Sequence, residues 1–205
     1  MDRKDHWEKV YQTKPASTVS WFQEHAERSL ELIKSIEQSK ASNIIDVGGG
    51  ASTLVDDLLA EGFEHLSVLD LSANALNVAR SRLGEAGKGV QWIVGDITTV
   101  KLPEQAYDVW HDRAVFHFLT EPAQRAAYVD QVMRAVKPGG HVIVATFAHD
   151  GPNQCSGLPV MRYTPGELHG QFGAAFQLLE HASEAHRTPM GNVQHFVYCH
   201  CLKPH

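Results

Sequence analysis

An apolar run that ends in an acid and runs straight into a glycine cluster, Ile44-Ile45-Asp46-Val47-Gly48-Gly49-Gly50-Ala51-Ser52, constrains this chain more than any other segment. The run reads as an apolar strand, and the glycines as a sharp turn at which a ligand can approach the backbone closely. Leu54, Val55, Leu58 and Leu59 follow at helical spacing, with Thr53-x-x-Asp56 as a capping box and Gly62 as the stop. A strand, a glycine turn and a helix in that order predict one half of a parallel α/β unit.

The pattern repeats. Leu66-Ser67-Val68-Leu69-Asp70 is a second apolar run closed by an acid, and Val90-Gln91-Trp92-Ile93-Val94-Gly95-Asp96 is a third. Between them Ala75, Val78, Ala79, Arg82 and Leu83 mark a helix that ends near Gly84. Ahead of the first strand, Ala26, Leu30, Ile33 and Ile36 or Glu37 give a helix over about residues 24–39. Tyr107 to Trp110 reads as a fourth strand, Pro122 to Val136 as a helix closed by Lys137-Pro138-Gly139-Gly140, and His141 to Phe147 as a fifth strand. Phe176 to His181 and Phe196 to Leu202 read as two tail strands joined by a loop over residues 183–194. No internal repeat is seen. Ligands of open α/β sheets bind beyond the carboxyl ends of the strands, so Asp46, Asp70 and Asp96 would line one crevice.

Taken together, these residues resemble the class I S-adenosylmethionine-dependent methyltransferase family, whose first motif is an acid-x-Gly-x-Gly-x-Gly loop. Here Ser52 stands at the last position, and Ser is a good helix N-cap. The resemblance spans about residues 40–203. It implies an α/β, Rossmann-like seven-stranded sheet, mostly parallel, of order 3-2-1-4-5-7-6, with the last strand antiparallel and helices on both faces. We read residues 1–205 as one methyltransferase domain, with 1–40 a cap and 41–203 the core.

What the resemblance implies for the site is specific. Asp70 would hold the ribose hydroxyls of S-adenosyl-L-methionine, and Asp96 would meet the adenine amino group. Leu71 and Ile97 would flank the adenine, with Ser72 and Gly95 beside them. Asp46, Gly48, Gly49, Gly50 and Ser52 would approach the methionine portion. A nicotinamide dinucleotide is the competing cofactor, since an acid after the second strand suits its ribose too; Asp46 before the glycines, Thr53 in place of the third fingerprint glycine, and Gly95-Asp96 all oppose it.

Trp110-His111-Asp112-Arg113-Ala114-Val115-Phe116-His117-Phe118-Leu119 leaves the fourth strand where such folds put the transferable methyl. His111 and Asp112 are candidates to hold the cofactor or orient an acceptor. His117 is either a proton acceptor or a hydrogen-bonded packing residue. Arg113 either pairs with Asp46 or Asp112 or binds an anionic substrate. The segment lacks the Asn/Asp-Pro-Pro-Tyr pattern of members that methylate exocyclic amines and glutamine amides, which disfavours that chemistry.

Trp7, Tyr11, Trp21 and Phe22 load a polar arm with rings, in the layout Trp-x-x-x-Tyr then Trp-Phe found in small lysine methyltransferases of the family. They either close over the cofactor and substrate or pack on the sheet edge. The loop after the fifth strand, with His149, Cys155, Arg162 and Tyr163, is the candidate acceptor wall, or a glycine-proline connector with one buried thiol.

Composition closes off other classes. A formal charge of −6 opposes a broad phosphate-binding surface, so no nucleic-acid partner is expected. Three cysteines without a CxxC pair give neither a disulfide framework nor a zinc site, and strand alternation would turn Cys199 and Cys201 away from His200. No metal is expected. The polar start and the lack of a membrane-length apolar run place the chain in the cytoplasm, off the membrane. The expected reaction is methyl transfer to a nitrogen, sulfur or oxygen of a small molecule, releasing S-adenosyl-L-homocysteine. Protein lysine methylation and a cofactor-binding module without catalysis are the alternatives; the oligomeric state is left open.

Overall fold

The computed structural model describes residues 2–36 and 39–205. The alternating runs form strands β1 (Asn43–Val47), β2 (His65–Asp70), β3 (Gln91–Val94), β4 (Tyr107–Arg113) and β5 (Val136–Phe147). Helices α1 (Arg3–Thr13) and α2 (Glu27–Ser35) precede them. Helices α3 (Leu54–Ala60), α4 (Ala73–Leu83) and α5 (Pro122–Ala135) connect them. A two-stranded hairpin, β6 (Gln154–Cys155) and β7 (Leu158–Pro159), leads to α6 (Pro165–Phe172), and the chain closes with β8 (Gln177–Arg187) and β9 (Val193–Leu202).

The seven main strands form one sheet of order β3-β2-β1-β4-β5-β9-β8, the expected topology once the small hairpin is counted separately. β1 to β5 pair in parallel, and β9 runs antiparallel to both neighbours. One face buries Ile44, Val68, Val109 and Ile143 against Ile33 of α2 and Leu54 and Leu58 of α3. The other buries Ile45, Leu69, Trp110 and Val142 against Tyr128 and Val132 of α5 and Leu168 and Phe172 of α6. Burial on both faces explains why β1 and β2 read as apolar runs.

Several boundaries differ from the sequence reading. α2 is shorter than 24–39, and Glu37 lies outside the described residues. The expected capping box at α3 does not form: Thr53 Oγ1 donates to the Gln23 carbonyl, and Asp56 is drawn to Arg82. β4 extends to Arg113 because His111 and Asp112 continue its pairing with β1. Lys137-Pro138-Gly139-Gly140 does end α5, yet β5 already begins at Val136, with Gly139 and Gly140 paired to Lys203 through backbone bonds. α6 was not foreseen, although Thr164-Pro165-Gly166-Glu167 carries a reciprocal capping box. Cys199 and Cys201 share a buried face, and His200 on the other bonds His141 and Glu180. Among the described residues no helix is long and apolar enough to cross a membrane.

Under β4 sits a buried polar relay. The indole of Trp110 donates to Tyr128 Oη (2.9 Å), which donates to Asp112 Oδ2 (2.7 Å). Asp112 also accepts the backbone N–H groups of Val115 (2.8 Å) and Phe116 (3.1 Å). Burial is the main cause that raises its carboxyl to about 7, against these donors, which lower it. Tyr128→Phe leaves the indole N–H without its acceptor and the carboxylate short of a donor, so it should cost about 1–3 kcal/mol. Urea unfolding of the variant checks this, and a loss under about 0.5 kcal/mol would show that the relay is not needed.

Candidate functional site

The glycine cluster bends the chain from β1 toward α3 under tight steric control. Gly48 has φ +72°, and a Cβ there would stand 1.9 Å from Val115 Cγ2. At Gly50, with φ +35°, a Cβ would stand 2.6 Å from Asp70 Oδ2. Only glycine fits such a crossing. Arg82 of α4 braces the turn by donating to the carbonyls of Ala51 (3.0 Å) and Ser52 (2.7 Å) while pairing with Asp56 (2.6 Å). Nothing in the spacing of the sequence marked Arg82 for that task.

Two cavities open around this turn, with about 790 and 560 Å³ of space between the atoms when their open mouths are included. Gly48, Tyr11, Trp21 and Arg113 border both, so the two are neighbouring chambers of one crevice. The larger runs over the ends of β2 and β3, where Asp70, Leu71, Gly95, Asp96 and Ile97 form its floor. Trp7, Phe118 and Cys155 lie on its walls, as does Arg3, which the sequence reading passed over. The smaller is bordered by Asp46, Gly49, Ser52 and His111 on the sheet side and by Phe22 on the arm.

The charged groups of the crevice are largely held by the chain itself. Parallel register sets Asp46 beside His111, whose Nδ1 bonds Asp46 Oδ1 (2.7 Å) while its Nε2 bonds the Ser29 hydroxyl of α2 (2.9 Å). Arg113 pairs with neither Asp46 nor Asp112. It donates to Glu184 of β8 (3.2 Å) and to Tyr198 of β9 (3.1 Å), and its guanidinium stacks over Phe196 at 4.1 Å. Gln23 donates to Glu184 as well. Asp96 Oδ1 caps its own turn through the Thr98 N–H (2.8 Å) and hydroxyl (2.7 Å).

Asp70 is the unusual acid. Burial pushes its carboxyl up to about 7, the nearby charges of Asp46 and Glu8 add to the rise, and the Ser72 backbone N–H (2.8 Å) opposes it. A carboxylate so dehydrated gains from any further hydrogen-bond donor that reaches it.

Other candidates fall outside the crevice. Gly50 and Ser72 are buried beneath it, and Asp112 belongs to the relay under β4. His117 is fully buried between Phe118 and Phe147, and burial drives its imidazole down to about 3. Its Nδ1 accepts from the Phe147 N–H (3.3 Å), and Nε2 has no partner among the described residues. His149 and Arg162 are exposed, and Tyr163 packs on Phe116 in the core. In the loop after β5, Cys155 is the expected residue that reaches the crevice, where burial raises its thiol to about 11.

Comparison with known proteins supplies a context for this geometry. Residues 44–140 match a family described as a methyltransferase domain. The chain is 28% identical over 123 residues to phosphoethanolamine N-methyltransferase 1 of Arabidopsis thaliana, covering 59% of this chain and 24% of that one. It is 23% identical over 145 residues to an eEF1A lysine and N-terminal methyltransferase homolog of Drosophila melanogaster, covering 68% and 21%. This chain thus spans about a quarter or less of those two relatives' lengths. A Burkholderia thailandensis 1,6-didemethyltoxoflavin-N1-methyltransferase, solved with S-adenosylhomocysteine, shares its fold at a TM-score of 0.71 and 16% identity, over 98% of this chain and 87% of that one.

The raised carboxyl of Asp70 has a consequence for stability. The folded chain holds a proton there that the unfolded chain releases near 3.8, so folding is favoured below that value and the contribution is lost as pH rises through about 7. Asp70→Asn should therefore lose less stability than the parent between about pH 5 and pH 8, the slope due to Asp112 remaining. Urea unfolding at the two pH values checks this; equal slopes in parent and variant would contradict it.

Proposed function

We propose, from the premise that this chain belongs to the class I S-adenosylmethionine-dependent methyltransferase family, that it transfers a methyl group to a nucleophilic nitrogen, sulfur or oxygen of a small molecule and releases S-adenosyl-L-homocysteine. The observation that carries the reading is the continuous crevice with a dehydrated acid at the end of β2, a second acid after β3 and a glycine turn between its two chambers. The donor set fits the cofactor. Asp70 gains stabilising donors from a ribose diol, and Asp96, with Leu71 and Ile97 beside it, suits the polar edge and the faces of an adenine. Gly48 borders both chambers. The rings of Trp7, Tyr11 and Trp21 favour a positively charged sulfur nearby.

When bound, S-adenosylmethionine supplies a methyl group on a sulfonium, which is a good leaving group. The task left to the protein is to hold the acceptor in line with that methyl and to keep water away. Trp7 meets Trp21 and Phe118 edge to face at 5.5 and 5.2 Å, and the Trp21 indole donates to Tyr11 Oη (3.2 Å). This interlocked aromatic roof is suited to a small acceptor. A lysine enzyme should have an open acidic rim, and beside its two strand-end acids the larger chamber is lined by rings and by Arg3 and Arg113. His111, tied at both nitrogens, acts in this reading as a positioning residue that fixes Asp46.

Calorimetric titration with S-adenosylhomocysteine tests the cofactor reading. Asp70→Ala should bind about ten- to a hundredfold more weakly than the parent, the equivalent of one or two hydrogen bonds to a charged group. Undiminished affinity would remove Asp70 from the ribose. Incubating the chain with tritiated S-adenosylmethionine and size-fractionated cell extract should then label the small-molecule fraction. Label on a protein band would reverse the acceptor class, and binding with no transfer to any fraction would leave a module without catalysis.

A further inference from the structure

Helix α1 carries Trp7 and Tyr11 of the aromatic roof; it buries Val10, and Trp7 packs on Trp21 and Phe118. Its polar fastening to α4 is Glu8. The carboxylate reaches 64 to 66 residues along the chain to the first turn of α4. There Oε1 accepts the Ala73 N–H (2.8 Å), and Oε2 accepts the Asn74 N–H (3.2 Å) and the Ser72 hydroxyl (3.0 Å). Those N–H groups belong to the set that a helix start leaves without internal partners, and an anion there also meets the positive end of the helix dipole.

The seat of this clasp is the turn that presents Asp70. Ser72 donates its N–H to Asp70 Oδ1 (2.8 Å), accepts the Ala75 N–H at its hydroxyl oxygen (3.1 Å), and gives its hydroxyl proton to Glu8. On α1, Trp7 directly precedes Glu8 and Tyr11 lies one turn on, and both border the crevice. One carboxylate thus joins the roof to the residue proposed for the ribose.

We propose that Glu8 is a positioning residue, a clasp that holds the aromatic arm closed over the cofactor crevice and locks the Asp70 turn at the same time. The inference rests on the cofactor reading above. Opening the roof to admit or release a nucleoside breaks the three Glu8 contacts together, and closing restores them. The clasp therefore governs how long the nucleoside stays more than how fast it arrives.

The test uses the full chain and S-adenosylhomocysteine, with affinity from calorimetry and dissociation followed by tryptophan fluorescence. Glu8→Ala should weaken binding about tenfold, mostly through faster release, with the thermal midpoint little changed. Glu8→Gln, which keeps an amide oxygen for Ala73, should fall between it and the parent. A second variant avoids the arm altogether. Ala73→Pro removes the N–H that Glu8 accepts, at the first helical position, where proline is favoured, and after Ser72, whose φ of −97° and ψ of 119° suit a residue before proline. It should leave stability equal or higher and still speed release about threefold. Release unchanged in both Glu8→Ala and Ala73→Pro, while the parent binds normally, would overturn the clasp alone. A parent that does not bind S-adenosylhomocysteine would overturn it together with the cofactor reading.

Discussion

Strand β1 is paired in parallel with β2 on one side and β4 on the other, and the rest of the site depends on that double pairing. Parallel neighbours put the chain exits of three strands on one edge of the sheet, and the polar residues ending those strands collect there. Because helices cover both faces, these groups are cut off from water, and a buried carboxylate without donors is costly. The chain answers locally in each case: His111 for Asp46, the Ser72 N–H for Asp70, Tyr128 and two backbone N–H groups for Asp112. Asp70, held by backbone N–H groups alone, borders the larger chamber, where a ligand's hydroxyls would reach it.

How much of this was legible in the sequence follows from the range of each interaction. Burial on both faces wrote β1 and β2 as apolar runs, and the need for a turn wrote Gly48 to Gly50, so the strand-end acids could be placed by reading along the chain. Partners in contact only through the fold left no such trace. Arg113 finds Glu184 71 residues away on β8, and Glu8 finds Ser72 across 64. The distance between His111 as a catalytic candidate and His111 as a tether is set by Ser29, a residue on a helix that periodicity located but whose polar face it could not aim. α6 is a different kind of miss: Thr164, Pro165 and Glu167 spelled its start, but the long glycine-proline loop before it masked the signal.

The histidines show why residue type alone misleads. Thirteen of them invite metal or acid-base chemistry. His186 bonds the Ser20 carbonyl (2.7 Å), pinning the arm to β8, while His141 and His200 bond one another (2.9 Å) across β5 and β9. Imidazole offers one donor and one acceptor in a flat apolar frame, and a sheet that buries polar positions on both faces uses it as a joiner. Among the described residues no three metal-ligating side chains converge.

The same economy of free groups bears on the chemistry. His117, which the sequence offered as a proton acceptor, is walled off between aromatic rings and held neutral by burial, and His111, offered as a residue to hold the cofactor or orient an acceptor, has both nitrogens engaged. Cys155 and Tyr11 border the crevice, but burial raises the pKa of both, which makes them poor bases at neutral pH. Under the proposed reaction the acceptor's own proton has then to leave by its own acidity or to water at the mouth. The barrier is lowered chiefly by alignment and dehydration, the two things an aromatic roof fastened to the floor of the site provides. An acceptor that ionises near neutral pH suits such a crevice better than an alcohol, since neither histidine, nor Cys155, nor Tyr11 is suited to deprotonate one.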